Sequence, residues 1–262
     1  MAFEPGQAVV VTDEALLATY GRAFRKVGKS VVVVPLTTGV HAGHVELIRA
    51  AKSLLGSYVV VTYSGEEVPE VFAREKVDVV FHGELSTRVR IDAGVDPLEP
   101  ADDTSREVAR IIAAINATHA TDVVLGEKDF EVLVATQYAV SGLRMEVKLH
   151  SVPTVRTPDG LAVSLRNALV AVDKREAVLA LSAALTAGAH AAEHGAQTVL
   201  DTARGVLSAA GLEPVYLELR DLAMRPAPAE GDARLMGALD VGGVRLIDNV
   251  GLPLGIGFKH IE

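Results

Sequence analysis

Val31-Val-Val-Val-Pro-Leu-Thr-Thr-Gly-Val-His-Ala-Gly-His-Val-Glu-Leu-Ile-Arg-Ala-Ala-Lys52 is the stretch that decides the fold. Its first four residues are β-branched, which predicts a strand buried in a parallel sheet, and Pro35 ends that strand. From His41 onward the apolar residues recur at helical spacing. The stretch therefore predicts a strand, a short glycine-containing turn and a helix. Such a turn presents backbone N–H groups and the positive end of a helix dipole where phosphates bind in parallel α/β sheets.

Two histidines, His41 and His44, lie three residues apart at the predicted helix start and therefore face the same side. An imidazole can donate a hydrogen bond to a phosphate oxygen, and Gly43 lets a nucleotide approach the backbone closely. The pattern His-x-Gly-His after a strand resembles the nucleotidylyltransferase superfamily, in which ATP is cleaved between its α and β phosphates. Two other interpretations remain open: the histidines cap the helix, or they bind a metal with a third ligand from elsewhere.

Composition excludes several classes of function. The 262-residue chain has a formal net charge of −9, whereas a nucleic-acid surface needs a basic stripe. It has zero Cys, which excludes disulfides and thiol catalysis and is typical of a reducing compartment. Apolar runs stay below the roughly 18 residues of a membrane helix, and residues 1–6 lack the basic segment of a secretory signal. We therefore expect a cytoplasmic protein that acts on small molecules, with no nucleic-acid or membrane partner.

Strands and helices alternate over residues 1–155. Further buried strands are predicted at 9–12, 58–63, 77–81, 122–126 and 146–149. Helices are predicted at 13–26, 104–117 and 130–143, with a weakly helical segment at 66–75 and an irregular loop at 83–103. This alternation predicts an α/β fold, a Rossmann-like doubly wound parallel sheet that binds a nucleotide.

The pattern changes after about residue 155. Two Ala-rich helices are predicted at 173–192 and 195–211, followed by three strands at 215–220, 233–239 and 244–249. Two helices with three antiparallel strands predict a smaller C-terminal α+β domain over residues 156–262.

Two more polar segments are candidates for binding phosphate. Lys128 and Asp129 follow the predicted strand at 122–126, so they lie at the same edge of the sheet as His41. A lysine can reach phosphate there, and an aspartate can bind a ribose hydroxyl or Mg²⁺. The alternative is a solvated charged turn. Farther along, Ser164 and Arg166 offer a hydroxyl and a guanidinium suited to the β and γ phosphates; the alternative is that Ser164 caps a helix beside a surface arginine.

Together these three segments resemble the pantothenate synthetase (pantoate–β-alanine ligase) family, and the resemblance extends from about residue 31 to about residue 249. It includes Val-Pro-Thr-Val-Arg at 152–156, Asp-Gly-Leu-Ala at 159–162, Tyr-Leu-Glu-Leu-Arg at 216–220 and Arg-Leu-Ile-Asp-Asn at 245–249. The resemblance implies a homodimeric, ATP-dependent ligase that uses Mg²⁺ and has a lid-like C-terminal domain. Such enzymes activate a carboxylate as an acyl-adenylate, release pyrophosphate, and let an amine attack to give an amide and AMP.

The resemblance also implies roles for individual residues. His41, His44, Lys128 and Arg166 would act on the phosphates during the reaction, with Lys128 also reaching the carboxylate, and Asp129 would hold the ribose. The implied ATP-binding set comprises Thr37, Thr38, Gly39, His41, Gly43, His44, Gly126, Lys128, Asp129, Val155, Val163, Ser164 and Arg166, with Asp129 also as the Mg²⁺ candidate.

The chain departs from the family pattern mainly where the acid binds. Thr62-Tyr-Ser-Gly-Glu-Glu67 replaces the family's Phe-Val-Asn-Pro-x-Gln-Phe, and Val132 replaces a second substrate glutamine. The family's His-Phe-x-Gly-Val is missing from a shortened region around 85–103, where Arg88 or Arg90 is a candidate replacement anchor for a carboxylate. We expect the ATP half-reaction to be retained and pantoate to be displaced as the preferred acid. The alternatives are a non-catalytic or altered-specificity paralogue that binds ATP, and a nucleotidylyltransferase.

Overall fold

The computed structural model describes residues 3–85 and 87–256. The chain divides into two compact units. The first comprises Met1–Glu127 and Glu131–Pro153, and the second comprises Lys128–Phe130 and Thr154–Glu262. Residues 1, 2, 86 and 257–262, which the predicted domains 1–155 and 156–262 include, lie outside the described residues.

The first unit alternates strands and helices. Its strands are β1 (Val9–Val11), β2 (Ser30–Pro35), β3 (Ser57–Tyr63), β4 (Val79–His82), β5 (Asp122–Gly126) and β6 (Lys148–Val152). Its helices are α1 (Glu14–Lys26), α2 (Ala42–Ser53), α3 (Val71–Arg74), α4 (Ala101–Ala117) and α5 (Phe130–Gly142), whose first residue counts with the second unit. Among the described residues, the six strands form one parallel sheet in the order β1-β4-β3-β2-β5-β6.

Strand β2 lies inside this sheet, between β3 and β5. Its valines, Val31 to Val34, are all 0% exposed, as the run of β-branched residues predicts. Val32 and Val34 belong to the apolar cluster that contains Ile48 and Ala51 of α2, and β2 also contacts α1 and α4. The side chains of β2 point alternately to the two faces of the sheet, and helices pack on the sheet. This arrangement confirms the predicted doubly wound α/β fold.

Several element boundaries differ from the predicted ones. Helix α4 starts at Ala101 rather than 104, with Pro100 as the residue before its first turn. The acidic Asp102 and Asp103 suit the positive end of the helix dipole there. Strand β6 covers Lys148–Val152 rather than 146–149, since its ladder with β5 runs from Lys148 to Val152. Strand β4 starts two residues later than predicted, and α3 covers part of the weakly helical segment.

The second unit contains the predicted smaller α+β domain. Helices α6 (Arg175–His190) and α7 (Ala196–Ala209) accompany the strands β7 (Tyr216–Asp221), β8 (Gly231–Val241) and β9 (Val244–Leu254). The strands form an antiparallel sheet in that order, and its inner face packs with both helices around Leu185 and Leu235. Gly242 and Gly243 join β8 to β9 with φ values of 61° and 83°, the left-handed pair that a two-residue hairpin turn requires. Among the described residues, no helix is long and apolar enough to cross a membrane.

Candidate active site

His41 caps helix α2. Its Nδ1 accepts a hydrogen bond from the Gly43 N–H at 3.1 Å, so the capping interpretation is confirmed for this residue. Because Nδ1 accepts, a neutral His41 carries its proton on Nε2, which is then a donor. A Cβ on Gly43 would lie 2.8 Å from His41 Cε1, which explains the glycine. The rings of His41 and His44 stack with centroids 3.8 Å apart. Helix capping and phosphate contact are therefore compatible at His41, since they use different ring nitrogens.

The turn after β2 is held by the next strand. The Gly39 N–H donates to Tyr63 Oη at 3.1 Å, and the Ser64 N–H donates to the Thr37 carbonyl at 3.2 Å. Gly39 has a φ of 71°, which favours glycine. Thr38, Gly39 and residues 63–67 line an open cleft at the carboxyl ends of β2 and β3. The segment that departs from the family pattern is thus one wall of this cleft, and it carries Tyr63, Ser64 and two glutamates.

Lys128 lies in a 3₁₀ turn, Glu127–Asp129, directly after β5. Its side chain is 17% exposed, and its Nζ lies 4.0 Å from Asp129 Oδ1. Asn249 of β9 donates from Nδ2 to the Lys128 carbonyl at 2.8 Å, within the second unit. A half-buried lysine fixed at the carboxyl end of a parallel strand is placed to act as a point charge on an anion.

Ser164 and Arg166 follow a short hairpin. Arg156 pairs with Ala162 across it, the Val163 N–H donates to the Val155 carbonyl at 2.9 Å, and Gly160 turns the chain with a φ of 86°. Ser164 then caps the 3₁₀ helix Leu165–Leu169, because its Oγ accepts from the Arg166 N–H. The capping interpretation is confirmed here as well. Capping fixes the hydroxyl oxygen and leaves its proton available for donation to a ligand.

A cavity in the second unit brings Lys128, Ser164 and Arg166 together, although 36 positions separate Lys128 from Ser164 in the sequence. Ser182 and Asp248 also line it. The cavity therefore combines two basic side chains and two hydroxyls with one carboxylate. Two of the three segments proposed from the sequence meet here, whereas His41 and His44 belong to the first unit.

Asp248 is buried, and its negative charge is matched at close range. Arg156 donates to both of its oxygens, at 2.8 and 2.9 Å, and Ser182 Oγ donates to one of them at 2.8 Å. The charge of Asp248 is thus neutralised by Arg156 rather than by the cavity cations. Sequence reasoning matched 245–249 to the family but assigned no role to Asp248 or Asn249. The signal was present, since these two adjacent polar residues lie between the apolar Leu246–Ile247 and Val250 of β9.

Glu131 binds the chain at residues 98–104, around the end of the shortened region. This buried carboxylate accepts from the N–H groups of Leu98 and Glu99 at 3.0 and 3.1 Å and from Thr104 Oγ1 at 3.0 Å. Arg90 donates to Asp102 at 2.9 Å on the exposed surface, and Arg106 and Arg90 together hold the pKa of Asp102 below its ordinary value. The charge of Arg90 is therefore already matched by a carboxylate of the protein.

The described residues also bear on metal binding. Within residues 3–85 and 87–256, no group of three or more His, Asp or Glu side chains is arranged to hold a metal ion. His41 and His44 thus find no third protein ligand among these residues.

A family model described as Pantoate-beta-alanine ligase matches residues 70–251. The chain belongs to the pantoate–β-alanine ligase family. It is 39% identical to the pantothenate synthetase of Corynebacterium jeikeium, over 100% of this chain and 95% of that protein. It is 36% identical to the pantothenate synthetase of Nocardia farcinica, over 97% and 89% respectively. These matches cover nearly the whole chain and identify it as a ligase enzyme.

Solved structures of this ligase family share the fold. Pantothenate synthetase from Thermus thermophilus superposes with a TM-score of 0.79 at 24% identity, covering 92% of this chain and 98% of that one. Pantoate-beta-alanine ligase from Francisella tularensis, complexed with Beta-gamma ATP and Beta-alanine, superposes with a TM-score of 0.69 at 21% identity, covering 92% and 97%. The α/β fold with a smaller second domain is thus that of the ligase family.

Proposed function

We propose that this enzyme joins a carboxylic acid, pantoate or a closely related hydroxy acid, to β-alanine at the expense of ATP. A carboxylate oxygen attacks the α-phosphorus, the bond to the bridging oxygen breaks, and pyrophosphate leaves. The neutral amine then attacks the acyl carbon, AMP leaves, and the nitrogen loses a proton. Family membership over nearly the whole chain supports the reaction type. The observation that carries the proposal for this chain is the cavity shared by Lys128, Ser164 and Arg166.

The basic groups of this cavity suit the phosphates. Arg166 and Ser164 bind the outer phosphates, which leave as pyrophosphate. Lys128 contacts the α-phosphate and the attacking carboxylate, where negative charge accumulates in the transition state. Fixed cations at that position lower the barrier because they need no reorganisation as the charge develops.

The turn after β2 and the start of α2 suit another part of the triphosphate. Helix α2 has 12 residues, so the N–H groups of its first turn carry the partial positive charge of a helix dipole. Because Nδ1 of His41 accepts the capping bond, Nε2 is the donor of the neutral ring and contacts a phosphate oxygen. His44, stacked on His41, also acts on the phosphates. Thr37, Thr38, Gly39 and Gly43 line the backbone path of the nucleotide. Gly126, Asp129, Val155 and Val163 complete the ATP contacts, with Asp129 at the ribose.

Mg²⁺ fits this chemistry as a companion of the triphosphate. Mg²⁺ usually keeps several waters and binds through one or two carboxylates plus substrate phosphates, rather than through an all-protein cage. The half-exposed carboxylate of Asp129, beside Lys128, suits this mode. The ion would supply charge neutralisation on the pyrophosphate leaving group. We further propose that the enzyme is a cytoplasmic homodimer, as its family resemblance implies.

The acid is the part of the reaction in which this chain departs from its family. The cleft wall at residues 63–67 offers a phenol, a hydroxyl and two carboxylates in place of the family's asparagine and glutamine. Each lost hydrogen bond to a buried substrate group costs about 1–3 kcal/mol. The loss of two such bonds would weaken pantoate binding and favour a different acid as substrate. If no acid is activated, the protein is a paralogue that binds ATP without turnover.

Pyrophosphate exchange tests the proposal. The purified protein is incubated with ATP, Mg²⁺, labelled pyrophosphate and a panel of hydroxy acids, and incorporation of label into ATP is followed. We expect acid-dependent exchange that falls at least 100-fold in Lys128→Ala and stays unchanged in Lys148→Ala, an exposed lysine on β6. Exchange with another acid better than with pantoate establishes altered specificity. ATP-dependent thermal stabilisation without exchange for any acid would favour the non-catalytic paralogue.

A further inference from the structure

Asn249 joins the sheet of the second unit to the segment that carries Lys128. Its Nδ2 donates to the Lys128 carbonyl at 2.8 Å, and its Oδ1 accepts from Arg234. Arg234 in turn lies over the ring of Phe130, 4.0 Å from the centroid. Asn249 thus contacts the main chain of Lys128, and Arg234, its hydrogen-bond partner, contacts the side chain of Phe130.

This contact starts from a buried position in the β8–β9 ladder of the second unit. Asn249 lies on β9, paired with Met236 of β8, and its side chain is buried. Its own N–H donates to Asp248, and its carbonyl accepts from Arg156 at 3.0 Å. Every contact in this set joins residues of the second unit, which includes Lys128–Phe130. The sheet therefore fixes the asparagine, and the asparagine fixes the turn.

The turn that carries Lys128 is short. It is a 3₁₀ turn, Glu127–Asp129, and such short turns have poorer hydrogen-bond geometry than an α-helix. The lysine ammonium lies at the end of a stem of four methylene carbons. Because the stem is long, a small rotation of the Lys128 peptide moves the ammonium by about an ångström or more. Displacement of a reacting group by about 1 Å can cost about 100-fold in rate.

We infer that Asn249 is a positioning residue that sets Lys128 for adenylate formation by fixing the lysine's main-chain carbonyl. The inference rests on the proposed function, in which Lys128 contacts the α-phosphate. The amide is suited to this task because it donates to one segment and accepts from Arg234 with the same planar group.

The first test compares Asn249→Ala with Lys128→Ala and with the double variant. We expect Asn249→Ala to lower the turnover number of pyrophosphate exchange by about 10- to 100-fold while the KM for ATP changes less than threefold. In the Lys128→Ala background, Asn249→Ala should cause no further loss, because its effect passes through the lysine. Exchange within threefold of the unmodified enzyme, or an equal loss in both backgrounds, would overturn the inference.

Two further variants separate positioning from stability. Asn249→Asp keeps the volume and an acceptor for Arg234 but removes the N–H donor, so it should reproduce the loss of turnover even where Asn249→Ala fails to fold. Thr118→Val removes a buried hydrogen bond to the Ala114 carbonyl in α4 and should keep turnover unchanged. An Asn249→Asp variant with unchanged turnover would refute the role of the donor.

Chemical labelling makes the inference independent of turnover. The rate at which an amine-reactive acylating reagent modifies Lys128 is measured by mass spectrometry, with Lys148 as the internal reference. We expect the Asn249 variants to raise the Lys128 rate at least threefold, since the loosened turn exposes the ammonium. If the enzyme without substitutions shows no pyrophosphate exchange with any acid, the proposed function fails, but the labelling still tests whether Asn249 positions Lys128. An unchanged rate of Lys128 modification in the Asn249 variants would contradict the inference.

Discussion

Removing the carboxylate of Asp248 should destabilise the second unit substantially. Asp248 is 4% exposed and accepts two hydrogen bonds from Arg156, one from Ser182 and one from the N–H of Asn249. Asp248→Ala therefore leaves a guanidinium without its carboxylate and a buried hydroxyl without its acceptor. The Arg156 side chain, 27% exposed, also donates to the carbonyls of Gly160 and Asn249 and keeps those bonds.

The magnitude follows from these contacts. Breaking a buried ion pair by removing one partner typically costs about 3–5 kcal/mol. Because Arg156 retains carbonyl acceptors and part of its hydration, the lower end applies, and we expect a loss of about 3 kcal/mol for Asp248→Ala. Asp248→Asn keeps one acceptor oxygen and should lose about 2 kcal/mol. The double variant of Arg156 and Asp248 should be less destabilised than the sum of the single variants, by about 1–3 kcal/mol.

Hydrogen exchange at the amides of β8 and β9 measures this loss directly, because it reports the opening free energy of the second unit even if the two units unfold separately. Arg204→Ala is the matched control: its exposed pair with Asp201, at 3.5 Å, should contribute less than about 1 kcal/mol. A loss below about 1 kcal/mol in Asp248→Ala, or strict additivity in the double variant, would refute the reasoning.

Two further predictions concern the first unit. Glu131→Ala removes the acceptor of two backbone N–H groups and of Thr104 Oγ1. We expect a free energy of unfolding lower by about 2 kcal/mol and at least tenfold faster proteolysis within residues 87–100; an unchanged cleavage rate there would contradict the role given to Glu131. Gly65→Ala places a Cβ 2.2 Å from Tyr63 Oη and so disturbs the hydrogen bond that this oxygen accepts from the Gly39 N–H. We expect weaker ATP binding by calorimetry and a free energy of unfolding lower by about 1–3 kcal/mol. Gly142→Ala, where a Cβ meets nothing within 4 Å, should be neutral or stabilising, and equal behaviour of the two glycine variants would count against the steric argument.

Local sequence patterns predicted most of the fold. The β-branched run at Val31–Val34 indicated a buried parallel strand, and its full burial confirms that period and composition suffice for a central strand. The edge strand β6 was predicted two to three residues too early along the chain. Its bounds depend on its register with β5 rather than on its own apolar pattern. The start of α4 was missed because its first turn carries the acidic Asp102 and Asp103 rather than large apolar residues.

The candidate site was predictable only in part. Lys128, Ser164 and Arg166 were identified from residue type and family pattern, and the structure places them along one cavity. The contacts that hold them were not predicted: the pair of Arg156 and Asp248, and the bond from Asn249 to Lys128. Such contacts join residues about 90 to 120 positions apart, and a single sequence carries no local signal for which buried polar groups meet.

Oxygen transfer tests the central chemical claim most directly. The enzyme is supplied with ATP, β-alanine and the acid that best supports pyrophosphate exchange, labelled with ¹⁸O in its carboxylate. The ¹⁸O content of each product is then measured by mass spectrometry. Attack of the carboxylate on the α-phosphorus predicts one ¹⁸O atom in AMP and none in pyrophosphate. Formation of ADP with ¹⁸O in inorganic phosphate, or of AMP without the label, would contradict an acyl-adenylate and with it the roles given to Lys128 and Arg166.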